Sequence, residues 1–282
     1  MAIDYSGITY PIIDTHAHLF VDYDWAALDA TAQCPALRQV WLLGLDCYKE
    51  STELAGNAPV LEVAKRYPGF FIPFGFIDFT RGPEQIDQMR EQGFLGLKAI
   101  RPALAYDHEQ YFPLYDRAQA LGMPILFHVG VISNRTADSF ALPKVGFGPT
   151  QMRPSMLDAI AAAFPKLKLI QGHMGVPWCN ELFESLWYYP NIRCSVSGLV
   201  DYQWLQDHLG DVTAKKTPMS KKLMFSLDGA YGRRESLAQV LEAAEFFRMF
   251  FLNVGRTKSW HGAGNDFLYT NAAEFIDFKA ML

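Results

Sequence analysis

Short apolar runs alternate with helix-like stretches from one end of the chain to the other. Strand-like runs fall at about 11–18, 38–46, 70–79, 94–100, 124–130, 167–173, 191–197 and 222–228, each four to eight residues or slightly longer and closed by Gly or a polar residue. Between them the apolar positions recur at helical spacing. Asn57 is expected to cap a helix that has Pro59 near its first turn, Pro83 begins a helix that Gly93 ends, and Gly122 follows a run from Pro113 to Leu121. Further helices are predicted over 153–164, 178–189, 201–209 and 233–249, with an extra C-terminal helix at 271–281.

Eight strands alternating with helices, with no linker or charge block between them, predict an α/β fold. The expected form is a single (β/α)8 TIM barrel with an extra C-terminal helix, one domain spanning 1–282. A doubly wound open sheet is the alternative, but no Gly-rich fingerprint follows the first strand. Half of the residues are hydrophobic (50%) and only 20% are charged, enough for one large core. The net charge of −5 and the scatter of basic residues exclude an electrostatic footprint for nucleic acid. The run Lys215, Lys216, Lys221, Lys222 reads as a solvated loop face. No secretory leader and no apolar span of membrane length is visible, so a cytoplasmic protein without a membrane partner is expected. Four cysteines without CxxC spacing predict neither a disulfide framework nor a zinc knuckle.

The barrel pattern makes a demand on chemistry, because the loops after the strands form a barrel's active face. His16 and His18 (strand one), Lys98 (four), His128 (five), His173 (six) and Asp228 (eight) all stand at C-terminal strand ends. Period-two alternation puts His16 and His18 on one face together with Asp14, which is placed to fix a ring nitrogen. It also puts Gly96, Leu126, Gln171 and Ser226 beneath Lys98, His128, His173 and Asp228. Imidazoles and a carboxylate are a donor set for a zinc-like divalent ion. Without an ion, each unpaired buried group costs about 1–3 kcal/mol. His108, His208 and His261 read as ordinary surface or loop residues, and Asp46, Asp78 and Ser197 as strand-end caps.

IIDTHAHL, GLKAIRP, ILFHVG, LIQGHMG, the aspartate of strand eight and the late NAAEFI, in this order over nearly the full length, resemble the amidohydrolase superfamily. The resemblance is to its amidohydrolase-related branch of metal-dependent hydrolases, lactonases, hydratases and small-acid decarboxylases. It implies that His16, His18, His128 and Asp228 bind one divalent metal, zinc first and manganese second. It also implies that His173 and Asp228 handle protons. Relatives carry a Gly-Ser-Asp-Tyr-Pro-like stretch at strand eight, whereas this chain reads Ser226, Leu227, Asp228, Gly229, Ala230, Tyr231.

Lys98 separates two variants. Carboxylated, it would bridge to a second ion held with His173; free, it pairs as a point charge with a substrate carboxylate, which GLKAIRP resembles more closely. A resting salt bridge to Asp46 or Asp78 is the plain alternative. Arg101 and Arg135 lead the candidates for an anionic substrate group, with Arg233 and Arg256 behind them. Phe20, Trp178, Tyr231 and Trp260 suit a planar substrate, and the Gly/Pro-rich loop from Ser133 to Arg153 suits a lid. The expected activity is metal-dependent hydrolysis of an amide, ester or lactone bond in a small, anionic molecule. Nonoxidative decarboxylation on the same site is the second reading, and a silent barrel that binds a metabolite or partner the third. A homo-oligomer through Phe246, Phe247, Met249, Phe250 and Phe251 is a further expectation.

Overall fold

The computed structural model describes residues 7–47, 53–131, 149–198, 200–258 and 262–282. Eight strands, β1 (Ile12–Leu19), β2 (Leu37–Leu43), β3 (Phe71–Phe76), β4 (Gly96–Ala99), β5 (Ile125–His128), β6 (Leu169–Gly172), β7 (Ile192–Val196) and β8 (Leu223–Phe225), each pair in parallel with the next. Parallel neighbours need crossovers, and helices supply them. These are α1 (Trp25–Ala32), α2 (Asn57–Arg66), α3 (Glu84–Gln92), α4 (Phe112–Ala120), α5 (Met156–Ala163), α6 (Cys179–Tyr188), α7 (Tyr202–His208) and α8 (Ser236–Lys258). After β8 a short β9 (Ala230–Tyr231) pairs with the far end of β1, His18 opposite Ala230. The Asp228 amide donates to the His16 carbonyl at 2.9 Å, and the Thr15 hydroxyl to the Phe225 carbonyl at 2.8 Å. The sheet thus curls from β1 round to β8 and meets β1 again, as a TIM barrel does.

Alternation along the strands divides the core in two. Ile13, Trp41, Leu43, Ile72, Phe74, Leu95, Leu126, Ile170 and Met224 fill the barrel interior. Ile12, Ala17, Leu42, Leu97, Ile125, Leu169 and Phe225 face the surrounding helices. The C-terminal segment completes the interior: Ala272 and Phe275 of a short helix after the π turn Asp266–Thr270, then Ile276 and Phe278, join the inner cluster. Phe278 meets Trp41 edge-on at 5.3 Å, and Asn271 Nδ2 donates to the Ser220 and Leu223 carbonyls at 2.8 and 2.7 Å. The expected single helix over 271–281 is therefore Asn271–Phe275, an extended Ile276, and a 3-10 turn at Phe278–Ala280.

One helix and one cap escape the sequence pattern. Helix α1 reads WAALDATA and buries only Leu28 and Thr31, so its periodicity is faint; its start is set by Asp24, whose carboxylate accepts from the Ala26 and Ala27 amides. Asn57 does not cap α2. Gly56 holds the cap position, Asp46 Oδ1 accepts from the Asn57 amide at 2.8 Å, and Asn57 Oδ1 accepts from the Phe76 amide at 2.7 Å, tying α2 to the end of β3. Gly93 ends α3 as expected, with φ 111°.

Candidate metal centre

At the C-terminal ends of the strands, His16, His18 and Asp228 each bring one ligand atom within 4.8 Å of the other two. Asp228 Oδ1 lies 3.3 Å from His16 Nε2 and 3.1 Å from His18 Nε2. Asp228 Oδ2 is 3.8 Å from His173 Nδ1. Lys98 Nζ stands 3.3 Å from His16 Nε2, and His173 Nε2 stands 3.0 Å from His128 Nδ1. His128 is placed one ring further out than the other imidazoles. Its Nε2 is 3.0 Å from the Val131 carbonyl, and it is outside the three-residue group.

Local backbone geometry explains the convergence. Between Asp14 and Ala17, β1 advances three residues while β2 advances two, from Val40 to Leu42, which is a bulge. The extra residue breaks the alternation, so Asp14 does not share the face of His16 and His18 as the period-two reading has it. Its carboxylate instead accepts from the Tyr231 hydroxyl at 2.8 Å, the Leu227 amide at 3.1 Å and the His16 amide at 3.3 Å. Asp14 therefore pins the bulge and the β8–β9 turn rather than a ring nitrogen. On β6 the alternation ends at His173, whose φ is 71°. Gln171 is consequently not beneath it; Gln171 reaches toward the Pro154 carbonyl, and Ile170 and Gly172 face inward. A Cβ on Gly172 would fall 2.8 Å from Leu126 Cδ2 and 3.1 Å from His16 Cε1. Asp228 (φ 61°) and Arg101 (φ 53°) are also left-handed, a conformation costing of order 1–3 kcal/mol each.

The electrostatics follow from burial. Burial, then the charge of Lys98, holds His16 well below the ordinary imidazole value, and burial beside His173 does the same to His128. Both rings are neutral, hence able to donate a lone pair. Burial pushes Asp228 up, but the His18 hydrogen bond and the neighbouring imidazoles and Lys98 outweigh it and hold the carboxyl below its usual range. Lys98, 1% exposed, is pushed down to about 7 by burial, against the pull of Asp228. Asp46 and Asp78 are turned to the amides of Asn57 and Thr80, so neither resting salt bridge to Lys98 forms.

The donor set fits a divalent ion. Ring nitrogens of His16 and His18 and one ionised oxygen of Asp228 crowd around a common point, and the buried Nδ1 atoms of His16 and His18 find no hydrogen-bond partner among the described residues.

Other expected residues divide clearly. Arg101 is buried at the end of β4, close enough to Cys47 and His128 for its charge to act on both. Arg233 is turned away onto Asp22, 2.9 Å from it, with its guanidinium over Phe20. Tyr231 is core, and Trp178 packs against Arg153. Arg135, Trp260, the Arg256 side chain and most of the Ser133–Arg153 loop lie outside the described residues. Ser197 is more than a strand cap, since its Oγ and carbonyl sit 3.2 and 3.3 Å from His173 Nδ1. Sequence reading also passed over Gly198, where a Cβ would stand 2.9 Å from His173 Nδ1, and Tyr106, whose hydroxyl lies 3.2 Å from the Ala99 carbonyl and 3.0 Å from that of His128. A glycine directly after a strand-end serine was the available signal for the first; a tyrosine in a loop gives none.

Comparison with known proteins agrees with this architecture. An uncharacterised TIM-barrel protein from Bordetella bronchiseptica superposes with a TM-score of 0.68 at 16% identity, over 94% of this chain and 98% of that one. A 2,6-dihydroxybenzoate decarboxylase complexed with 2,6-dihydroxybenzoate gives 0.60 at 17%, over 97% and 100%. A probable 2-pyrone-4,6-dicarboxylic acid hydrolase from Acinetobacter baumannii, with citric acid bound, gives 0.58 at 15%, over 94% and 98%. A search of curated proteins gives no match. The sequence profile described as amidohydrolase matches residues 13–251, the stretch that carries β1 to β8 and every residue of the centre, and the chain belongs to that family of metal-dependent enzymes.

Proposed function

We propose that this chain is a mononuclear, zinc-preferring hydrolase that opens an amide, ester or lactone bond in a small carboxylated molecule. The observation that carries the reading is the convergence of His16, His18 and Asp228 on one point with Lys98 and His173 alongside. His16, His18 and Asp228, joined by His128, would hold the ion. Three nitrogens and one oxygen suit zinc ahead of harder cations, with manganese second. When bound, the ion supplies Lewis acidity and an acidified water, with a pKa of roughly 7.

The chain's own residues supply the rest. Asp228, ionised beside the rings, accepts the proton as the nucleophile attacks. His173, fixed by Ser197 and 3.8 Å from Asp228, passes that proton to the leaving group. Lys98 and Arg101 bring positive charge to the buried floor and hold a substrate carboxylate. Burial excludes bulk water, which strengthens each of these attractions.

A second reading, nonoxidative decarboxylation, is favoured by the same buried pair of cations. The 2,6-dihydroxybenzoate decarboxylase that shares the fold points the same way. The bond from ring carbon to carboxyl breaks, carbon dioxide leaves, and His173 or Asp228 returns a proton to the carbon. Product analysis decides. Metal-loaded protein is screened with dicarboxylic lactones and amides and with hydroxybenzoates, following acid release and carbon dioxide. Acid without carbon dioxide supports hydrolysis, and carbon dioxide in stoichiometric yield replaces it with the second reading. Protein that takes up no stoichiometric metal overturns both.

A further inference from the structure

The opposite mouth of the barrel holds a second cluster of charge. Lys168 precedes β6, Arg193 is the second residue of β7, and Lys222 precedes β8. Ile170 points into the barrel, so Lys168, two residues earlier, starts on the same inward face, and Lys222 closes the 3-10 turn Met219–Lys222 directly before β8. Cys194 pairs with Leu223, which puts Arg193 and Lys222 on the next rung of adjacent strands, roughly 5 Å apart in backbone spacing. Ile170 pairs with Arg193, which sets Lys168 on the diagonal. One ring gathers two of them: the Lys168 ammonium lies 5.0 Å and the Arg193 guanidinium 4.8 Å from the centre of Phe275.

Three cations meet here without a counterion in contact. Among the described residues no carboxylate lies within 4.0 Å of any of them, whereas the neighbouring Lys221 has Asp266 at 2.8 Å. Glu274, an exposed residue, acts on Arg193 only from a distance. Lys222 is 2% exposed and gives one N–H to the Tyr189 carbonyl at 2.8 Å. Arg193 Nη1 donates to the Pro190 and Ile192 carbonyls, while its buried Nε has no partner among the described residues. Burial, then Arg193 and Lys168, pushes Lys222 down to about 7, so the cations repel one another across this rim. The Lys168 side chain is exposed and keeps the cluster open to solvent. Like charges on neighbouring rungs are destabilising unless something of opposite sign is shared between them.

We propose that Lys168, Arg193 and Lys222 form an anion site at the N-terminal mouth of the barrel that takes a dianionic phosphate group. Two negative charges match the excess of three cations over one distant carboxylate, and tetrahedral oxygens accept from a fork and two ammoniums at once. The site lies at the other end of the cylinder from His16 and Asp228, so its occupancy changes stability rather than chemistry.

The test is thermal melting and calorimetric titration of the metal-loaded protein with inorganic phosphate and with glycerol phosphate, against chloride at matched ionic strength. An active-site metal also attracts phosphate, so the reading is the difference between wild type and the rim variants Lys168→Gln and Lys222→Met. The expected result is a saturable rise in Tm for wild type that both variants lose, with affinity weakened about tenfold or more by Lys168→Gln, an exposed position whose change leaves the core intact. Stabilisation by inorganic phosphate alone identifies the free ion as the occupant; stabilisation by both identifies a phosphomonoester. A phosphate response equal in wild type and both variants, or none in wild type, overturns the proposal.

Discussion

The two mouths of this barrel are built on opposite principles. At the N-terminal mouth, Phe275, Ile276 and Phe278 press into the interior against Trp41 and Phe74. At the C-terminal mouth the interior is finished with polar groups: four histidines, a lysine and an aspartate, with left-handed backbone at Arg101, His173 and Asp228. Hydrophobic burial at the first end offsets strain and desolvation at the second. A barrel can hold groups in unfavourable surroundings at one end because packing elsewhere in the cylinder, the apolar plug at the other mouth included, stabilises the whole, even with Lys168, Arg193 and Lys222 at that mouth's rim.

That contrast is broken most sharply at Asp228. Asp228→Asn keeps the side chain's shape but removes the charge shared by His16 and His18. Turnover is expected to fall by roughly 10³-fold or more, with loss of bound metal and little change in Tm of the metal-free protein. Metal analysis beside steady-state kinetics checks it, and full metal content with full turnover would remove Asp228 from the centre. Phe275→Ala tests the other end. Truncating a buried aromatic costs about 3–5 kcal/mol of stability, measured by urea unfolding, while kcat and KM of the remaining folded protein stay as they were. A kcat loss larger than the stability loss would show that the two ends are coupled.

How much of this is legible in sequence differs between the ends as well. All eight strands of the barrel announce themselves through apolar runs, and the polar residue at each strand end marks the active face, because burial on both sides leaves little else that a run can mean. What the pattern hides is where alternation stops. The bulge at Asp14–Ala17 and the left-handed turn at His173 are backbone departures with no composition signal, and they carried Asp14 and Gln171 to other partners than period two assigns. His128 shows the same limit from the other side. Strand order puts it at the right mouth, but only side-chain geometry shows its ring leaning on His173 and Val131. At the N-terminal mouth the lysine run misleads: Lys215 and Lys216 are exposed, but Lys222 ends the 3-10 turn Met219–Lys222 directly before β8 and is buried there.

Gly172 lies where the two kinds of region touch. Gly172→Ala drives a methyl group against Leu126 below and the His16 ring above. A displacement of the ring by less than an ångström is enough to cost about 10²-fold in turnover. The expected signature is a kcat defect of that size with a Tm shift of a few degrees. A variant whose Tm falls steeply while kcat per folded molecule holds would place the strain in the packed layer instead.

The smallest effect reads the charge at the plugged end. Lys222 has its ammonium pushed down from 10.5 to about 7 in the folded chain, by burial first and by Arg193 and Lys168 after it. Between these two values the unfolded chain binds the proton and the folded chain does not, so stability rises with pH across that window; below about 7 both states carry the proton and the full penalty applies. In chloride buffer the rise from about pH 7 to about pH 9 is on the order of 2 kcal/mol, read as the change in unfolding free energy from urea titrations. Lys222→Met has no such proton to lose, and its curve over the same interval should be flatter by that amount. It should also start higher, because the variant no longer places a cation beside Arg193. Equal slopes in the two proteins would mean that the Lys222 ammonium keeps its charge in the fold, stabilised by the Tyr189 carbonyl more than it is repelled by its neighbours.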